Sequence, residues 1–406
     1  LPEPYNKRFN VDDLNKFNIY TADLIFSDKR LIENEEFLKG SVSMLRLTRT
    51  KEQAEAKNLI LRKILSDERL VANKNFIEKA PEIVKFVQIS ENAELTNALT
   101  DKLLSCEQIN SNENYTEKLA DIIISANTYE NTQAKTDYFN FISRNEFLCT
   151  KKEFTNGIGD ILIGINSRED AERKIYLTSR ILQTADNKHG DNLIKNSENI
   201  IKNTNTEAQK ELAEYFLSDE RLFGNEMIMS EVGDVLKLST SPGEVESKII
   251  MLDKILSEKK FYENEGFMNS VSEIIKHLSN DFQTKTKLDL IETILSDERI
   301  FGNENFMNND AAIVLKNADS LLYAEEITDF LKDEKICPNQ ITDITGENNI
   351  PYKEIIKLNK TIGKESASKL SHNDTKIGAN FIDSYGKTDI NEMNTAEKKV
   401  FLRALV

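Results

Sequence analysis

Between Glu55 and Leu65 the apolar residues return at steps of three and four, the pattern of a helix that buries one face. The run stops at Ser66-Asp67-Glu68-Arg69. Serine and aspartate draw backbone hydrogen bonds to their side chains, so they end helices or open turns. Seven residues after the serine stands Asn73, a residue type whose side chain accepts from the orphan N–H groups of a helix start. Phe76 follows as the anchor of a second helix. The same order recurs. Ser27, Ser66 and Ser105 are spaced by 39 residues, and so are Ser218, Ser257 and Ser296. The asparagine column is Asn34, Asn73, Asn112, Asn225, Asn264 and Asn303, and the aromatic column is Phe37, Phe76, Tyr115, Phe267 and Phe306. Acids behind the asparagine, such as Glu35, Glu113 and Glu304, suit the positive end of a helix dipole. Self-similarity at a fixed period is the mark of a repeat architecture.

Worn copies at Ser143-Arg144-Asn145-Glu146-Phe147, Thr184-Ala185-Asp186-Asn187 and Lys332-Asp333-Glu334-Lys335-Ile336 bring the count to about nine. Each unit reads as helix, capped turn, helix, with no strand signal. The predicted class is all-α, a right-handed superhelical α-solenoid of about nine two-helix repeats with a period near 39. Residues 1–10, with Pro2 and Pro4, read as an extended lead-in, 11–350 as the repeat domain, and 351–406 as a helical cap or the start of further repeats. The fourth unit carries Gly157, Gly159 and Gly164 in its second helix, which predicts close backbone packing or a bend there.

Length fits this picture. A chain of 406 residues is too long for one compact core, yet no composition shift divides it. A stack of repeats needs no common core, because each unit packs on its neighbours. The net charge of −16 disfavours nucleic acid and anionic membrane as partners, since both are held by lysine and arginine. No run of about 18 apolar residues predicts a membrane span. Cys106, Cys149 and Cys337 show no paired spacing, so neither a zinc site nor a disulfide framework is expected, and a cytoplasmic setting fits. The first residue is leucine, so a surface or secreted location stays open if a leader was removed.

Catalytic motifs are not found. His189, His277 and His372 form no HExxH, and the turn around His189 fails calcium-loop spacing. No phosphate loop, dinucleotide fingerprint or nucleophile elbow occurs. The expectation is a non-enzymatic chain with no cofactor and no metal, with a monomer favoured.

Two sets of columns are candidates for recognition. In the second helices an acid (Glu82, Asp121, Asp160, Asp234, Glu273) is joined three positions on by a base (Lys85, Lys237, Lys276), so both lie on one face. Stacked units would align them in rows. They would serve either as a register-fixing ladder or as a charged groove for an extended peptide or partner helix. In the turns, Asp28, Asp67, Asp219 and Asp297 stand two residues before Arg30, Arg69, Arg221 and Arg299. Stacking is expected to bring an acid of one unit near an arginine of the next. Small residues (Pro81, Ala120, Gly233, Ser272, Ala311) one place before the acid column would let second helices approach closely.

With its paired helices at a period near 39 and its Asp-x-Arg turns, as in Asp67-Glu68-Arg69 and Asp297-Glu298-Arg299, the stretch 11–350 resembles the HEAT/armadillo-like superfamily of α-solenoids. That resemblance implies a scaffold or adaptor that binds proteins or extended peptides on its concave second-helix face. The alternatives are a structural spacer in a larger surface or secreted protein, and an enzyme or nucleic-acid-processing module on a HEAT-like fold. The absence of tryptophan and the acidic balance weigh against the last.

Overall fold

Aspartate two residues ahead of arginine does more than turn the chain. It caps a short helix, so each regular repeat has three helical pieces where the sequence pattern predicts two. The computed structural model describes residues 16–185 and 189–318, with four further helical positions at 324, 327, 328 and 331. The lead-in, the rest of the ninth unit with its Lys332–Ile336 motif, Cys337, His372 and the segment 351–406 lie outside the described residues. Among the described residues every regular element is helical.

The long first helices are α1 (Lys16–Ser27), α4 (Lys51–Ser66), α7 (Ser90–Leu103), α10 (Tyr129–Ser143), α13 (Arg168–Thr184), α15 (Glu207–Ser218), α18 (Pro242–Ser257) and α22 (Asp281–Ser296). Short connecting helices follow: α2 (Lys29–Ile32), α5 (Glu68–Ala72), α8 (Glu107–Asn110), α11 (Glu146–Thr150), α16 (Glu220–Phe223), α19 (Lys259–Tyr262) and α23 (Glu298–Phe301). The second helices are α3 (Glu35–Arg46), α6 (Lys74–Lys85), α9 (Glu113–Ser125), α12 (Lys152–Gly164), α14 (Gly190–Lys202) and α17 (Glu226–Lys237). They continue with the pair α20 (Glu265–Met268) and α21 (Val271–Lys276), and with α24 (Ala311–Lys316), which a π-helical turn at Phe306–Asp310 precedes.

The serine that opens each turn ends the first helix by donating to a carbonyl three residues back: Ser27 to Leu24 at 2.8 Å, Ser66 to Lys63 at 2.8 Å, Ser257 to Lys254 at 2.8 Å. The asparagine column then caps the second helix as expected. The Asn34, Asn73, Asn112, Asn225, Asn264 and Asn303 side chains each accept from the N–H three residues on. Their amide groups have a second task that the sequence pattern did not foretell. Asn73 donates to the Thr116 carbonyl at 2.7 Å, and Asn264 donates to Asn308 at 2.7 Å, each in the following repeat.

Contacts divide the chain into two units, Leu1–Leu217 and Ser218–Val406. In the first, α1 packs on α4, α4 on α7, α7 on α10 and α10 on α13, while α3 packs on α6, α6 on α9, α9 on α12 and α12 on α14. In the second, α18 packs on α22, α17 on α21 and α21 on α24. First helices therefore meet first helices and second helices meet second helices. The aromatic column lies in the core between the two rows: Phe37, Phe76, Tyr115, Phe267 and Phe306 are all buried. Burying one such ring is worth about 1.5–3 kcal/mol. Two of the three glycines of α12 serve close approach, one on each side, while a β-carbon at Gly164 would meet nothing within 4 Å. A β-carbon at Gly157 would run into the Glu198 side chain of α14, and one at Gly159 would lie 2.8 Å from Lys118 of α9.

Candidate functional site

The second-helix acids are positioned by the small-residue column beside them. Pro81, Ala120, Gly233, Ser272 and Ala311 are buried, and the acids after the first four sit nearer the surface. There Asp121, Asp234 and Glu273 meet lysines of an adjacent repeat, as Asp160 does behind Gly159, whereas Glu82 is exposed and Ala312 is buried. Asp121 in α9 takes Lys79 of α6 at 2.7 Å, and Asp160 in α12 takes both Lys118 of α9 at 2.8 Å and Lys202 of α14 at 3.1 Å. In the second unit Lys276 of α21 reaches Glu231 at 3.0 Å and Asp234 at 3.2 Å in α17, and Glu273 at 3.5 Å in its own helix. Glu273 also pairs with Lys316 of α24.

Asp160, Glu273 and Lys276 are partly buried, and the pairing shifts their protonation. Burial pushes the Asp160 carboxyl up, but hydrogen bonds from Lys118 and Lys202 outweigh it and hold the group below the usual carboxylate range. The hydrogen bond from Lys316 does the same for Glu273. Hydrogen bonding to Glu231 leads the forces that raise the Lys276 ammonium. Of the eight predicted residues, Asp121, Asp160, Asp234, Glu273 and Lys276 thus come together with bases or acids of neighbouring repeats. Lys276 meets Glu273 three positions back in its own helix, the spacing the sequence pattern anticipates. Glu82 and Lys237 are exposed on the same helices, and the Lys85 ammonium stands 5.0 Å over the Phe86 ring. The rows are mainly inter-helix pairs formed with Lys79, Lys118, Lys202 and Lys316, which the sequence columns did not single out.

The turn columns need correction. Aspartate and arginine two residues apart bind each other within one turn. Asp67 accepts from the backbone N–H, Nε and Nη2 of Arg69 at 3.0, 3.0 and 2.7 Å, and the Asp28–Arg30, Asp219–Arg221 and Asp297–Arg299 pairs repeat this fork. The short spacing decides it: the same carboxylate that caps the connecting helix lies flat against the guanidinium edge. The remaining guanidinium N–H groups reach forward to the carbonyl ending the next first helix. Arg30 donates to Leu65 at 3.2 Å, Arg69 to Leu104 at 2.9 Å and Arg221 to Leu256 at 2.7 Å. At Arg30 an acid of the next unit does join, as expected, but it is Glu68, at 2.9 Å.

One column escaped the sequence reading altogether. Lys57, Lys135, Lys174, Lys248 and Lys287 lie in first helices and are completely or almost completely buried. Among the described residues, Lys57, Lys135, Lys174 and Lys248 form no ion pair with a carboxylate. The ammonium groups of the column donate to carbonyls at the ends of second helices. Lys135 reaches Leu162 and Ile165, both at 2.6 Å; Lys174 reaches Ile201 at 2.8 Å and Thr204 at 3.3 Å; Lys248 reaches Leu278 at 2.7 Å; and Lys287 reaches Leu315 at 2.5 Å. Lys57 instead turns back to Met44 and Thr48 of the preceding repeat. The last carbonyls of a helix have no partner within it and carry the negative end of its dipole, which suits a buried cation. Burial pushes Lys57, Lys135, Lys174 and Lys248 down to about 8. A lysine within an otherwise apolar helix face, recurring 39 residues apart at 135 and 174 and again at 248 and 287, was the available signal.

The cysteines hold a second surprise. Cys106 and Cys149 are both buried and their Sγ atoms are 3.8 Å apart, although no paired spacing marks them in sequence. Among the described residues no group of three or more His, Cys, Asp or Glu side chains is placed to hold a metal ion, and no helix is long and apolar enough to cross a membrane. Comparison with protein families, with curated proteins and with solved structures finds no significant match to this chain.

Proposed function

We propose that the chain is a non-enzymatic scaffold: a right-handed α-solenoid of about nine repeats, similar to HEAT/armadillo-like proteins, that binds a protein or an extended peptide along its concave second-helix face. The observation that carries this reading is the alignment of charged side chains from successive second helices into rows, from Lys79–Asp121 through Asp160–Lys202 in one unit and from Glu231–Lys276 to Glu273–Lys316 in the other. An extended ligand has a repeating backbone, and a periodic surface offers it the same contacts again and again. Nucleic acid is not the expected ligand, given the charge of −16. The protein would work as a monomer in the cytoplasm.

The pairing itself favours a second reading, a stiff spacer. Acids already engaged by neighbouring lysines are register locks, and each partly exposed pair adds about 0–1 kcal/mol to stability. A photo-crosslinking residue placed at Glu82 or Lys237 on the second helices, and at Leu59 on a first helix, separates the two. A scaffold gives a discrete adduct in cell extract from the second-helix positions only, and Lys237→Glu abolishes it. Equal labelling from both faces, or none, would leave the spacer.

A further inference from the structure

We propose that Cys106 and Cys149 are a modification site, a dithiol that closes to a disulfide between two successive repeats when it meets a low-molecular-weight disulfide such as oxidised glutathione. The case rests on where the two residues stand in the repeat. Cys106 occupies the capping position of α8, the place held by Asp28, Asp67, Asp219 and Asp297 elsewhere. It makes no side-chain cap, and Gln108 stands where those turns carry arginine. The Asp–Arg fork that fastens one repeat to the next is therefore missing at this junction.

Cys149 stands four residues after the cap of its own connecting helix, α11, as Tyr262 does in α19 and Phe301 in α23. In the second unit those positions receive the turn of the preceding repeat: the Arg221 guanidinium lies 4.8 Å over the Tyr262 ring, and the Lys260 ammonium lies over Phe301. At the α8–α11 junction the same meeting brings sulfur to sulfur at 3.8 Å. Two thiols thus replace a fork and a ring–cation contact at an equivalent place between repeats. The contact between α8 and α11 holds the pair together, and each thiol has one further weak partner, the Gln108 amide oxygen at 3.5 Å for Cys106 and the Ile142 carbonyl at 3.4 Å for Cys149.

Closure is ordinary exchange. One cysteine thiolate attacks a sulfur of the small disulfide and expels one small thiolate. The other cysteine thiolate attacks the protein sulfur of that mixed disulfide and expels the second. The protein loses two protons and two electrons, and the oxidant leaves as two thiols. A bond of about 2.05 Å requires the sulfurs, now 3.8 Å apart, to move together by nearly 2 Å. Burial pushes the Cys149 thiol up to about 12, so exchange is slow at neutral pH and quickens as pH rises.

The test uses the full chain, reduced and then incubated with oxidised glutathione at pH 7 and pH 9. Digestion without reductant should yield the Cys106 and Cys149 peptides joined and lighter by two hydrogens, formed faster at pH 9. The urea midpoint should rise on oxidation and return with dithiothreitol, because the bond closes a long loop. Cys106→Ser should abolish the rise. Two thiols that stay free, two separate glutathione adducts, or pairing of either cysteine with Cys337 would overturn the proposal.

Discussion

Replacing Lys174 by methionine keeps the length of the side chain and removes its charge. Two effects oppose each other. The variant leaves the Ile201 and Thr204 carbonyls without the ammonium donor at 2.8 and 3.3 Å, and an unsatisfied buried acceptor costs about 1–3 kcal/mol. The variant also relieves the fold of a buried cation. Burial lowers Lys174 from 10.5 to about 8, so between those values the unfolded chain binds a proton that the folded chain does not. Wild-type stability therefore rises with pH across that window, and the rise from pH 7 to pH 10 is about 2–3 kcal/mol for this one lysine. The methionine variant lacks that gain. Lys174→Met is thus expected to lie within about 1 kcal/mol of wild type at pH 7, as is common when a buried ion gives way to an apolar residue, and to fall about 1–3 kcal/mol below it at pH 10. Urea denaturation followed by circular dichroism at the two pH values reads the difference, and other groups that titrate in this range cancel between the two proteins. An equal loss of several kcal/mol at both values would refute the reasoning. It would mean that the helix-end carbonyls hold the ammonium at its ordinary affinity for protons.

Asp67→Ala removes a helix cap and the Arg69 fork together and should cost about 1–2 kcal/mol at pH 7 by urea denaturation. The hydrogen bond from Arg69 holds the Asp67 carboxyl below 3.8, so its contribution is complete above that value and is lost as pH falls through the lower folded-state one. Wild type and variant should converge in an acid titration, and a constant gap down to the acid limit would sink the account. Gly266→Ala would place a β-carbon 2.8 Å from the Asn308 carbonyl oxygen, a backbone atom that cannot step aside, whereas one at Gly243 meets nothing within 4 Å. The first should lower the thermal midpoint through overpacking, and the second should leave it unchanged or raise it through helix propensity; the reverse order would show that this packing is not what limits stability.

The periodic features of the sequence were legible because local chemistry sets them. Asn34, Asn73, Asn112, Asn225, Asn264 and Asn303 cap the helices they precede, and the phenylalanines and tyrosine behind them are buried, since a cap needs only the next three residues and an amphipathic face only its own period. Gly157 and Gly159 of α12 announced close packing for the same kind of reason, and Gly164 did not. What the sequence left undecided was every partner one repeat away. Asp67 has Arg69 two residues on and Arg30 37 residues back in the preceding turn, and the column alone displays both as candidates. The near one wins because the capping carboxylate already lies against it, and stacking sends the guanidinium forward to a carbonyl, a group that no side-chain pattern displays. The buried lysines were hidden in the same way, because their acceptors are backbone atoms at helix ends. Cys106 and Cys149 became neighbours because an irregular repeat set the second on a connecting helix that packs against the first. Side-chain types along a chain determine helices and their caps; which donors and acceptors meet across a stack depends on backbone positions that exist only once the repeats are packed.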